Sequence, residues 1–305
     1  NFNRWDAGRK LCENSLINTI SRGAPPDNLY LESLNKLISD DTLDPAFRAL
    51  TLSLPSQDEM TQKCLENNVI PDPMAIYRAI EALNLTISDR LKPVLEGIYQ
   101  KYTIKKEYKP DATQSAYRAL RNRALSFLAY QDSAFLAKIQ ATGAQNMTDQ
   151  LSAFSTVIKH NPNSEQIKLF YDQWKHERLV IDKWFSAQVL AAHPNSLTKV
   201  VKNLTTHSDF TIKTPNRVRS IFGAFSTNTA GFHIETGENY KLFSDWILKV
   251  DPVNPQVGAR MCSAFETWKR YDPKRQKLIK SQINRVLGAE SVSKDTREML
   301  TRLIN

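Results

Sequence analysis

Two segments place arginines shortly after a proline that opens a helix: Thr214-Pro215-Asn216-Arg217-Val218-Arg219-Ser220 and Asn254-Pro255-Gln256-Val257-Gly258-Ala259-Arg260. A residue able to cap precedes each proline, and proline suits the first turn because the amide it lacks would be unpaired there anyway. A helix start presents free N–H groups and the positive end of the dipole, so a cation beside it makes best sense when an anion is to be bound. The guanidinium fork can grip a carboxylate through two parallel hydrogen bonds. Gln256 and Arg260 are four residues apart and share a face, as do Asn216 and Arg219, three apart. Arg217 points elsewhere. Asn216, Arg219, Gln256 and Arg260 are therefore the candidate anion-binding set, and ordinary structural salt bridges are the competing account of the arginines.

Other chemistry is not encoded. A zinc site of the H-E-x-x-H kind needs two histidines one turn apart with a glutamate between them. The nearest string, His176-Glu177-Arg178-Leu179-Val180, lacks the second histidine and reads as a solvated helix end. His160, His193, His207 and His233 are isolated, and neither a G-x-S-x-G elbow nor a phosphate-cradling glycine loop occurs. Catalytic and metal-ligating residues are expected to be absent, and with them any cofactor in this chain. Cys12, Cys64 and Cys262 are odd in number and far apart, which fits a reducing, cytoplasmic setting and not a disulfide framework. The net charge is +9, but the 41 basic residues are interspersed with 32 acidic ones. That pattern describes a basic soluble surface, with neither a nucleic-acid stripe nor a membrane-spanning run. The aromatic residues around Trp184, Phe222, Phe243 and Phe265 recur at helical spacing, as a core would have them.

The elements that must position these residues are helical throughout. A first helix begins near Phe2 and ends at Gly23-Ala24-Pro25-Pro26; a second follows Asp27; Asp44-Pro45 caps a third. Pro71-Asp72-Pro73 opens a long segment running through Ile98, and Lys109-Pro110-Asp111 opens another. Shorter helices, roughly three to five turns each, are expected to start near Ser133, Met147, Ser164, Val180, Ser196, Pro215, Glu238, Pro255, Pro273 and Ser293. No strand alternation or hairpin turn interrupts them. Short amphipathic helices in tandem bury their faces by stacking, so the expected fold is all-α: a superhelical stack of antiparallel helix pairs of armadillo or TPR type, with a compact bundle as the alternative. The sequence opens at Asn1 with no initiator methionine, which reads as a fragment or a processed product.

A series of motifs resembles the C-terminal domain of the bacterial aminopeptidase N family. They are Phe2-Asn3-Arg4-Trp5-Asp6-Ala7, Asn146-Met147-Thr148-Asp149, Asp182-Lys183-Trp184-Phe185, Pro215-Asn216-Arg217-Val218-Arg219-Ser220, Phe232-His233 with Gly237 and Tyr240, Asn254-Pro255-Gln256-Val257 with Arg260, and Lys269-Arg270-Tyr271-Asp272 with Lys274-Arg275-Gln276. They occur in the family's order from the first residues to near the end. The resemblance implies that residues 1–305 form one helical domain of a four-domain zinc exopeptidase that removes N-terminal amino acids from peptides. The zinc and the G-A-M-E-N segment that grips the substrate amine would lie upstream. The domain's partners would be the catalytic domain of the same polypeptide and peptide substrates, whose entry it limits. In the family, residues matching Arg219, Gln256 and Arg260 line the internal cavity beside the substrate path. An independent helical-repeat scaffold that binds a protein partner is the alternative function.

Overall fold

A computed structural model describes residues 2–305. Among them the chain forms eighteen α-helices with three short 3-10 turns and no strand. It divides into two compact units, Asn1–Lys63 with Ala75–Asp172, and Cys64–Met74 with Gln173–Asn305.

The first unit is built from α1 (Phe2–Arg22), α2 (Asn28–Ser39), α3 (Pro45–Thr51), most of α4 (Gln57–Glu66), most of α5 (Pro73–Arg90), α6 (Lys92–Lys101), α7 (Ala112–Asp132), α8 (Phe135–Gly143), α9 (Met147–His160) and most of α10 (Gln166–Trp174). Side-chain caps define many of the starts. Asp27, Asp44, Asp111 and Asn146 each accept a hydrogen bond from an amide in the first turn that follows, an arrangement that contributes about 1 kcal/mol per helix. The segment expected to run unbroken from Pro73 to Ile98 divides at Leu91. Pro93 has no N–H to donate back along the helix, and its ring would meet the carbonyl of Asp89. The core of this unit is a seam of small residues. Ala129, Ala134, Ala137, Ala141 and Ala153 let α7, α8 and α9 approach closely around Leu125 and Val157. Ser133 and Ala134 make the turn between α7 and α8 with φ of 53° and 62°. Glycine would adopt that conformation more easily, but the buried methyl group of Ala134 belongs to the seam.

The second unit holds α11 (Arg178–Ala191), α12 (Leu197–Thr205), α13 (Pro215–Thr227), α14 (Thr229–Phe232), α15 (Glu238–Val250), α16 (Pro255–Met261), α17 (Pro273–Leu287) and α18 (Lys294–Ile304). The expected helix starts agree with these to within two residues. Some helices are shorter than expected: α8 has nine residues and α16 only seven. The core here is aromatic. Phe232 meets Phe225, Tyr240 and Phe243 edge to face, with centroids 5.5, 5.6 and 5.3 Å apart. Phe222 and Phe265 close the cluster against Phe243. Such edge-to-face pairs add to the free energy of burial itself.

Candidate functional site

The two arginines of the first motif have opposite fates. Arg217 is buried. Its Nε donates to Asp182 Oδ1 at 2.6 Å, its Nη1 to the Asp209 carbonyl, and the guanidinium lies 4.7 Å from the centre of the Phe185 ring. It ties α13 to α11 and uses the aspartate and phenylalanine of the Asp182-Lys183-Trp184-Phe185 motif. Arg219, two residues on, is exposed, and its side chain makes a single 3.3 Å hydrogen bond back to the Pro215 carbonyl of its own helix. Asn216 is exposed beside it with no side-chain partner among the described residues. The side chain of Thr214 accepts no hydrogen bond from the helix it precedes, so the first amides of α13 lack a side-chain cap.

The second motif sits on α16, which packs against α13. Asn254 does cap this helix, accepting from the Val257 amide at 3.1 Å. Val257 and Gly258 face inward, whereas Gln256 and Arg260 are exposed and their side chains have no partner among the described residues. The helix is short enough that Arg260 falls in its last turn. A cation there accords with the macrodipole, so the argument from a cation at a helix start does not hold for Arg260. Its case rests on exposure and the lack of a partner. What seats α16 is a close backbone approach. A Cβ on Gly258 would lie 2.6 Å from Asp251 Oδ1 and 2.9 Å from Asp251 Cα. Asp251 follows α15, is wholly buried, and accepts from Ser293 N, Ser293 Oγ and Thr296 Oγ1 at 2.6, 2.7 and 2.6 Å. It thereby joins α15, α16 and the start of α18. Cys262, held in the same place, donates to the Gly258 carbonyl, and burial, helped by the Asp251 charge, pushes its thiol up to about 12. It is no nucleophile.

Of the other motifs, the one around His233 is absorbed by the interior, whereas Phe2, Asn3, Arg4 and Ala7 of the first are exposed. His233 is buried with Nδ1 2.8 Å from the Tyr240 hydroxyl, and its ring is 3.9 Å from that of Tyr271. Arg275 donates through Nε to the His233 carbonyl and through Nη1 to Asp272 Oδ2, at 2.7 and 2.6 Å. Burial, with the Arg275 charge second, lowers His233 to about 3, so it stays neutral. In the first unit Asn146 caps α9, and Asp149 accepts from the side chains of Asn122 and Asn146 at 2.8 and 2.9 Å. His176 and Glu177 are exposed ahead of α11. Among the described residues no group of three or more histidine, cysteine or acidic side chains could hold a metal ion. No described helix is long and apolar enough to cross a membrane. Asn216, Arg219, Gln256 and Arg260 are thus the motif side chains on α13 and α16 that point outward and serve no other residue beyond the one bond within α13.

The stacked helices, joined by buried polar residues such as Arg217, Asp251 and Arg275, define a helical repeat-type scaffold. The chain belongs to the family described as a domain of unknown function, DUF3458_C, with ARM repeats, which it matches over residues 1–305. It is 33% identical to aminopeptidase N of Caulobacter vibrioides and 34% identical to aminopeptidase N of Escherichia coli, each across 99% of its own length. It spans 36% and 35% of those proteins, about a third of each. The structure of Legionella pneumophila aminopeptidase A in complex with aspartic acid aligns with a TM-score of 0.88 at 27% identity, over 99% of this chain and 37% of that one. The resemblance to the aminopeptidase N C-terminal domain holds over the whole chain, and the all-α, armadillo-like class agrees with the family's description.

Proposed function

We propose that residues 1–305 act as one non-catalytic helical domain of a cytoplasmic, zinc-dependent aminopeptidase. The domain packs on the catalytic domain of the same polypeptide, encloses the active-site cavity, and gates and positions peptides there. Zinc and the catalytic residues belong to the remainder of the enzyme, and this chain alone is inactive. Support comes from relatives named as aminopeptidases, roughly three times as long as the chain. The observation that carries the residue assignment is the outward set Arg219, Gln256, Arg260 and Asn216 on two packed helices, whose side chains make no bond beyond the one from Arg219 to its own helix. Arg219 and Arg260 attract and orient the carboxyl end of short peptides. Gln256 and Asn216 give neutral hydrogen bonds to peptide backbone.

The test compares a tripeptide with its C-terminal amide in the full-length enzyme. Arg219→Ala or Arg260→Ala is expected to lower kcat/KM for the acid by about 1–3 kcal/mol in transition-state terms and to change the amide much less. Lysine at either position restores only part, because it keeps the charge and loses the fork. If acid and amide lose the same factor, the arginines do not read the carboxylate.

A further inference from the structure

The first unit contains a cavity of about 380 Å³ that lies outside the residues assigned above. Its volume is within the range, roughly 300–1,000 Å³, of sites for small organic ligands. Four cationic side chains line it: Lys105 and Lys106 from the segment after α6, and Arg118 and Arg121 from α7. The one acid on the wall is Asp149, whose two oxygens accept from the neutral amides of Asn122 and Asn146, so the wall carries four cations against one carboxylate.

Arg118 and Arg121 are three residues apart and share a face of α7. Arg118 is 4% exposed. It donates to Gln114 Oε1 and Ser115 Oγ at 3.2 Å each and to the Lys109 carbonyl at 3.4 Å, and it lies 4.9 Å from the Tyr108 ring centre. Arg121 donates through Nε to the Tyr99 carbonyl and Thr103 Oγ1, at 3.2 and 3.3 Å, and through Nη1 to Gln140 Oε1 at 2.6 Å; it lies 4.2 Å from the Tyr99 ring centre. Every one of these acceptors is neutral. Arg118 is buried and Arg121 half-buried, and the contrast with the three other buried arginines is direct. Arg48 pairs with Asp41 at 2.9 Å, Arg217 with Asp182 at 2.6 Å, and Arg275 with Asp272 at 2.6 Å. Burying a guanidinium without an opposite charge is costly unless something supplies one. Here the two forks are held rigid by amide, hydroxyl and carbonyl oxygens, yet each keeps N–H donors unused.

We propose that this cavity binds the carboxylate of a small organic acid, the ligand's body lying against Tyr99, Tyr108 and Ile139. The two guanidinium groups grip the carboxylate, and Lys105 and Lys106 add positive potential at the exposed side.

Calorimetric titration of the full-length polypeptide with N-acetylphenylalanine tests this, because the acetyl group blocks removal of an N-terminal residue. The acid is expected to bind about tenfold or more tightly than N-acetylphenylalanine amide. Arg118→Gln and Arg121→Gln are each expected to weaken the acid by about tenfold. The paired exposed substitution Lys105→Gln with Lys106→Gln should weaken it by a few fold while the thermal melt stays unchanged, which keeps the test open if a buried variant fails to fold. Arg219→Ala and Arg260→Ala should leave this binding within about twofold of wild type, the scatter of surface substitutions, so failure here is separable from failure of the peptide-gating assignment. The proposal is overturned by no binding to wild type, by equal binding of acid and amide, by inorganic phosphate binding as well as the acid, or by loss of binding only on substitution of Arg219 or Arg260.

Discussion

In the second unit, Arg217 reaches from α13 to Asp182 on α11, and its charge is cancelled where it lies. In the first unit, Arg118 and Arg121 are fixed just as firmly, but by amides, hydroxyls, carbonyls and ring faces. Both arrangements immobilise a guanidinium group. Only the second leaves its charge available to a third party. The difference teaches that burial and hydrogen bonding alone do not mark an arginine as structural; the charge state of its acceptors does.

The comparison is broken most sharply by removing one internal pair. Arg217→Ala leaves Asp182 without its partner and the Asp209 carbonyl without its donor. A loss of about 3 kcal/mol is expected, the low end for a buried pair because Asp182 keeps some contact with water. Arg118→Gln strands no charge and should cost clearly less in the same urea titration. Equal losses would make Arg118 a structural arginine like Arg217.

A second effect, intermediate in size, concerns His233. Its ordinary value is near 6.5 and its folded value about 3, lowered first by burial and then by the Arg275 charge. Between those values the unfolded chain holds a proton that the folded chain refuses, so stability rises with pH across that window. Acidification below pH 6.5 should therefore weaken the fold, towards a limit of about 1.4 kcal/mol per pH unit. Denaturant melts at pH 7 and pH 5 measure this, with His233→Gln as the variant that should lose the slope. An unaltered slope would assign it to other groups.

The smallest effect sharpens the comparison from the other side. Arg219→Ala and Arg260→Ala on the outward faces of α13 and α16 should shift unfolding by no more than about 0.5 kcal/mol. A larger loss would show that these arginines hold the fold and are not free for a substrate.

Much of this was legible from residue order. Asp27, Asp44, Asp111 and Asn254 mark helix starts because a short acceptor before a helical run satisfies orphan amides locally. The separation of Arg217 from Arg219 was also legible, since two residues along a helix turn a side chain to another face. Four things were not. The four residues of α14 are too few to show a period. α4 is mostly polar, with no long apolar stripe to announce it. The break at Pro93 is a local signal overridden in the reading by continuous hydrophobic spacing on both sides. Arg118 and Arg121 do carry a signal, two arginines at helical spacing on one face. Only the fold shows that no carboxylate accepts a hydrogen bond from them, because their neighbours at Tyr99 and Gln140 come from elsewhere in the chain.

Gly258 has a consequence for inheritance. On its helix the outward positions, Gln256 and Arg260, can change chemistry without disturbing their seat, while the residue between them can carry nothing larger than hydrogen against Asp251. A lineage, or a mutant library, can therefore vary the side chains on this helix over a backbone that stays where it is. One methyl group at position 258 would instead move both positions together, so new preferences would have to arise beside this glycine and not through it.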